Sequence, residues 1–179
     1  MSDHSGPISN TSQYQQIMEA KQAEMRFVTD INLGTLARWL RILGYETRFD
    51  RGDVNRDFLR RAQQEGRIVL TRKREMADRQ FIGRLAVIEH DHVRRQLAEV
   101  MEKVGLRIDS ERLYRRCALC NADLVDVSRQ DVEGLVPDYV YYQSGPFRRC
   151  PECGKIYWSG GHREKALQFL RQHTPARLP

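Results

Sequence analysis

The chain has 179 residues, 40% of them apolar and 30% charged, with a formal net charge of +6. That length holds one sizeable domain, or one domain with a small appended module, and no apolar run approaches the ~18–20 residues of a membrane helix. The positive balance favours anionic partners, which bears on encounter and not on fold.

Residues 1–12 are small and polar, without core-forming side chains to offset the entropy of ordering, and disorder is expected there. Residues 13–25, QYQQIMEAKQAEM, are compatible with a helical lead-in. The opening residues have no basic n-region or apolar core, so no secretory signal is read and a cytoplasmic location is expected. From Arg26 the pattern becomes regular. RFVTD is a short strand. In LGTLARWLRIL, Leu33, Leu36, Ala37, Leu40 and Leu43 recur at helical spacing, and Gly44 ends the helix. YETRFD is a second strand. DFLRRAQQE is a helix opened by Asn55 as cap, with Asp57 in its first turn, and closed by Gly66. RIVLT and LAVIE are the third and fourth strands, with a short helical piece around residues 75–81 between them. VRRQLAEVMEKV buries Val93, Leu97, Val100, Met101 and Val104 on one stripe and ends at Gly105.

Strand and helix alternate four times. This predicts an α/β fold with a mostly parallel sheet and helices on both faces, and ligands in such sheets bind beyond the carboxyl ends of the strands. Neither G-x-G-x-x-G nor G-x-x-x-x-G-K-[ST] is present, so dinucleotide and P-loop chemistry lack their signatures. Between Arg26 and Leu106 there are 17 Lys+Arg against 12 Asp+Glu, a net +5 that is nearly all arginine. The planar arginine fork suits phosphate better than a lysine point charge.

After about residue 112 the texture changes to short strands, turns and cysteines. Cys117 and Cys120 form one C-x-x-C pair and Cys150 and Cys153 another, with 29 residues between the pairs. Each pair presents two thiolates to one cation, and Gly154 lets the chain turn back. Four sulfurs with no spare ligand describe a closed, tetrahedral structural zinc site. Two disulfides suit a cytosolic chain poorly, and a redox motif needs one pair rather than two. The intervening loop is long for such a site, and a hairpin around VPDYVYYQ is expected within it. Arg115, Arg116, Arg148 and Arg149 flank the knuckles. Tyr139, Tyr141, Tyr142, Tyr157 and Trp158 lie between or beside them, positioned either to stack bases or to pack the ribbon.

Asp30 ends the first strand, where ligands bind. A carboxylate there serves either as a ligand for Mg²⁺ or Mn²⁺ or as the cap of the next helix. Metal-assisted phosphodiester hydrolysis needs further acids from neighbouring strand ends. The candidates are Asp50, Asp53 and Asp57 after strand two, Glu75 after strand three, and Glu89 or Asp91 after strand four. Arg38 and Arg41 lie one turn apart, away from the apolar stripe, and are candidates for phosphate contact. Arg72, Lys73 and Arg74 make the exit of strand three strongly basic.

The blocks RFVTDINLGTLARWLRILGYET, GRIVLTRKRE, C-x-x-C and CPECGKIYWSGGH resemble the PIN-like RNase domain with an attached zinc ribbon. That domain occurs at the C-terminus of Mut-seven-type exonucleases and in stand-alone proteins. The resemblance runs from about Arg26 to about Leu170. It implies a PIN-like Rossmannoid domain over residues 26–110, a zinc-ribbon module over 111–173 and a lead-in over 1–25. It also implies metal-dependent cleavage of RNA, with Asp30 as the strand-one acid and Mg²⁺ or Mn²⁺ as catalytic ion beside the structural zinc. Asp53, Asp57 and Glu75 would assist. Arg38, Arg41, Arg72, Lys73, Arg74, Arg148, Arg149 and His162, the last matching the family's motif histidine, would contact RNA. PIN-like domains often pair, but no exposed apolar stripe nominates an interface, and a homodimer or the ribosome as partner is left open. The chain departs from the pattern at Lys73, where relatives commonly carry an aspartate, and in GDVNRD, where relatives carry consecutive acids. Either Glu75 or Asp53 supplies the missing ligand, or catalysis is lost and an RNA-binding or ribosome-associated protein remains.

Overall fold

The computed structural model describes residues 24–78 and 81–158, together with 20, 22 and 168. Most of the expected lead-in and His162 lie outside the described residues. Four strands, β1 (Arg26–Thr29), β2 (Glu46–Phe49), β3 (Ile68–Thr71) and β4 (Leu85–Val87), form one sheet in the order β2-β1-β3-β4. Every pairing is parallel, with Phe27 opposite Thr47 and Ile68, and Leu70 opposite Ala86. All four residues of β3 are buried, as a strand covered on both faces must be.

Alternation along the strands divides the core into two. Phe27, Ile68 and Leu70 face α1 (Gly34–Ile42) and α3 (Val93–Val104), meeting Leu36, Leu40, Leu97 and Val100. Val28 and Val69 face α2 (Arg56–Gln64), meeting Phe58, Leu59 and Ala62. Each fully buried leucine or phenylalanine contributes roughly 1.5–3 kcal/mol, so these two layers dominate the stability of the sheet. The helix limits follow local chemistry. Asn55 accepts from the Phe58 amide at 2.9 Å to open α2, and Gly105, at φ 76°, takes the left-handed conformation that ends α3. The helical piece expected around 75–81 is a 3-10 turn at Arg74–Met76.

Beyond it, β5 (Val125–Val127), β6 (Phe147–Arg149) and β7 (Ile156–Trp158) form an antiparallel sheet. The expected hairpin at VPDYVYYQ is instead a short helix, α4 (Asp138–Gln143). Val132, Val136 and Val140 are buried together with Phe147. Val132 comes from the 3-10 turn Gln130–Val132, Val136 from the loop after it and Val140 from α4, so the helix packs against its own lead-in and Phe147, and this overrides the strand preference of Val140 and its tyrosines.

Candidate functional site

The carboxyl ends of β1 and β3 meet at Asp30, which is 1% exposed. Its Oδ1 accepts from the Asn32 amide at 2.9 Å, capping the 3-10 turn Ile31–Leu33. Its Oδ2 accepts from the Thr71 hydroxyl at 2.6 Å and from the Arg72 amide at 2.8 Å. Thr71 Oγ1 in turn accepts from the Lys73 amide at 3.0 Å. The segment Thr71–Lys73 therefore wraps the carboxylate with backbone and hydroxyl donors. A carboxylate offers about four acceptor sites, and three are in use.

The other nominated acids do not join it. Among the described residues, the only group of three or more His, Cys, Asp or Glu side chains close enough to share a metal is the set of four cysteines. Asp57 is exposed and pairs with Arg60 at 3.0 Å on its own helix. Glu75 is exposed in the 3-10 turn. Asp53 is 91% exposed and lies 4.0 Å from Lys73 Nζ, so a cation faces the acid that was expected to share an ion with Asp30.

The arginines divide in the same way. Arg38, Arg74 and Arg149 are exposed. Arg41 is not: it is 7% exposed, and it donates to Thr47 O at 2.9 Å, Leu119 O at 2.7 Å and Ala118 O at 3.3 Å. Its expected phosphate contact is corrected, because the side chain is buried with Nε and Nη1 engaged inside the fold. Arg72 donates to Ile88 O and His90 O and pairs with Asp91, bracing the ends of β3 and β4. Arg148 ties Asp126 to Tyr114 O.

Glu99, on α3, completes this edge and was not nominated from the sequence. It is 6% exposed and accepts from the Glu89 and His90 amides at 2.9 and 2.8 Å, with Lys103 Nζ at 3.0 Å. Burial alone raises its carboxyl, but those amides, Lys103 and the His90 ring override it and hold it at about 2. Glu99 thus fixes the loop whose carbonyls receive Arg72.

The four sulfurs lie within 4.8 Å of one another. Separations of 3.2 Å for Cys120–Cys150 and 3.6 Å for Cys117–Cys153 are too long for a disulfide. They are close to the roughly 3.8 Å edge of a tetrahedron with 2.3 Å bonds. The donor set therefore fits a thiolate-bound metal such as zinc. The two knuckles are built alike: the Asn121 amide bonds Cys117 O and the Gly154 amide bonds Cys150 O, both at 3.0 Å. Asn121 and Gly154 have φ of 75° and 71°. Asn121 follows its cysteine pair as Gly154 follows the other, and that shared offset was the available signal for it. Burial pushes the Cys117 thiol up, but the Cys120 amide, the Tyr157 hydroxyl at 3.2 Å and the Leu119 amide outweigh it and bring it down to about 6.

Among the described residues no helix is long and apolar enough to cross a membrane. A family model described as the Mut7-C RNAse domain matches residues 25–170. No curated protein and no solved structure matches the chain.

Proposed function

Because the chain belongs to the Mut7-C RNAse domain family, we propose that it acts on RNA, and that the carboxyl edge of its PIN-like sheet holds the phosphodiester backbone without a metal-dependent cut. The observation that carries this reading is Asp30. Its carboxylate is buried and already engaged by three protein donors, while the next residues of the wrapping segment bring in Lys73 and Arg74. The residues present do not fit a catalytic divalent ion. No three carboxylates converge among the described residues, and an ammonium lies beside Asp53. The same ammonium, with the exposed Arg38 and Arg74, suits a polyanion.

The second reading is a metal-dependent endoribonuclease, favoured by family membership and by the place of Asp30 at the end of β1. One experiment separates the two. Purified, zinc-loaded protein is incubated with structured and single-stranded RNA, with Mg²⁺ or Mn²⁺ and with a chelator selective against those ions, beside Asp30→Asn and Lys73→Glu. We expect no metal-dependent cleavage, and binding that weakens steeply with salt and about tenfold in Lys73→Glu. Metal-dependent cutting that disappears in Asp30→Asn would replace the first reading with the second.

A further inference from the structure

β2 is an edge strand of the parallel sheet. A strand edge presents unpaired amides and carbonyls, which native proteins cover, charge or pair. Here the first cysteine knuckle covers it at Thr47. The Thr47 amide donates to Asn121 Oδ1 at 2.9 Å, and the Thr47 carbonyl accepts from Arg41 Nε at 2.9 Å. Both backbone groups of this residue are therefore spent on the ribbon side, and Thr47 is fully buried.

Arg41 makes the connection two-sided. It comes from α1, inside the RNase sheet's own core layer, and its Nη1 donates to the carbonyls of Leu119 and Ala118. Those are the two residues between Cys117 and Cys120. A buried guanidinium needs its donors satisfied and its charge offset; burial draws Arg41 below its ordinary range, and the Cys117 and Cys120 sulfurs oppose that. A zinc held by four thiolates carries a formal charge of −2, which a neighbouring guanidinium partly balances. Asn121 extends the contact, with Nδ2 donating to Glu46 at 3.4 Å.

We propose that the metal centre and the parallel sheet form one cooperative unit, with Arg41 and Asn121 as the positioning residues that couple them. Zinc keeps the knuckle folded, so that carbonyls 118 and 119 meet Arg41 and the Asn121 side chain meets Thr47. Without zinc the knuckle opens, the buried guanidinium loses two acceptors, and the β2 edge is uncovered at Thr47. The coupling is independent of how RNA is handled at the opposite ends of the strands.

The test uses the full-length protein and two readouts. Zinc affinity is measured by competition with a chromophoric chelator for the native chain, Arg41→Gln, Arg41→Lys and Asn121→Gly, with Arg56→Gln, at an exposed position on α2, as control. Amide hydrogen exchange at Thr47 is followed with zinc bound and after its removal. We expect Arg41→Gln to weaken zinc binding 10- to 100-fold. Arg41→Lys should restore only part of this, and Arg56→Gln should bind as the native chain does. Removing zinc should raise exchange at Thr47 at least tenfold, with a smaller change at Val28 in the central strand. If Arg41→Gln does not fold, Asn121→Gly decides, since glycine tolerates its backbone conformation. Zinc affinity within twofold of native in the folded variants, with Thr47 exchange indifferent to zinc, would overturn the proposal.

Discussion

Asp30 has two descriptions that differ in what its removal does to stability. A carboxylate kept open for a metal is a strained group, and replacing it in the absence of that metal leaves stability unchanged or raises it. A carboxylate that serves as a structural acceptor behaves oppositely. Asp30→Ala leaves the Asn32 amide, the Arg72 amide and the Thr71 hydroxyl without their acceptor; only the Thr71 hydroxyl is fully buried, and a buried orphan donor costs about 1–3 kcal/mol. We expect Asp30→Ala to lose roughly 1–3 kcal/mol, read from urea unfolding in zinc buffer free of Mg²⁺ and Mn²⁺; equal or higher stability would restore Asp30 to the role of metal ligand. The sequence placed Asp30 at a strand end and left ligand and cap open. What it did not show is that two of the three donors come from Thr71 and Arg72, which local spacing cannot reveal. Arg41 was misread for the same kind of reason. Its position off the apolar stripe reads as solvated, and only the docking of a distant knuckle buries it.

The elements of the sheet were legible because each carries a strong local signal. The leucine stripe of α1, the Asn55 cap of α2 and the Gly105 stop of α3 all stand where the pattern put them. α4 was not legible, since Val140 and its three tyrosines favour strands and only the packing of Val140 with Val132, Val136 and Phe147, which come from outside the helix, holds it there. α3 contributes more than a buried stripe, through Glu99. A carboxyl held at about 2 in the folded chain, against about 4.5 unfolded, binds fewer protons folded than unfolded in that window. Its contribution is fully present above pH ~4.5 and is lost as the pH falls through ~2, a difference on the order of 3 kcal/mol. Zinc release in acid also destabilises the chain, so the informative quantity is the difference between native protein and Glu99→Gln. We expect that difference to shrink steadily between pH 4.5 and 2; a difference independent of pH would mean that the charge on Glu99 contributes nothing.

Charge is distributed unevenly over the molecule, and under the proposed function this selects the surface that would meet RNA. Residues 121–145 hold five acids against one arginine, a net −4, so the remainder of the chain carries +10 of the total +6. Within that acidic segment Tyr139 and Tyr142 are 66% and 74% exposed. Exposed tyrosines can stack bases, and on exposure alone these two are the best stacking candidates among the described residues. Stacking requires the backbone to approach, however, and Asp131, Glu133 and Asp138 on the same segment are exposed and repel it. Under the proposed function the basic exit of β3 attracts it instead. Fluorescence anisotropy with a short single-stranded RNA at low salt tests the choice. We expect Tyr139→Ala combined with Tyr142→Ala to bind within about twofold of native, and Lys73→Glu to bind about tenfold more weakly. A loss of more than about fivefold in the tyrosine double variant, with Lys73→Glu unaffected, would move the RNA contact from the sheet edge to α4, because base stacking would then outweigh the repulsion of the acidic segment.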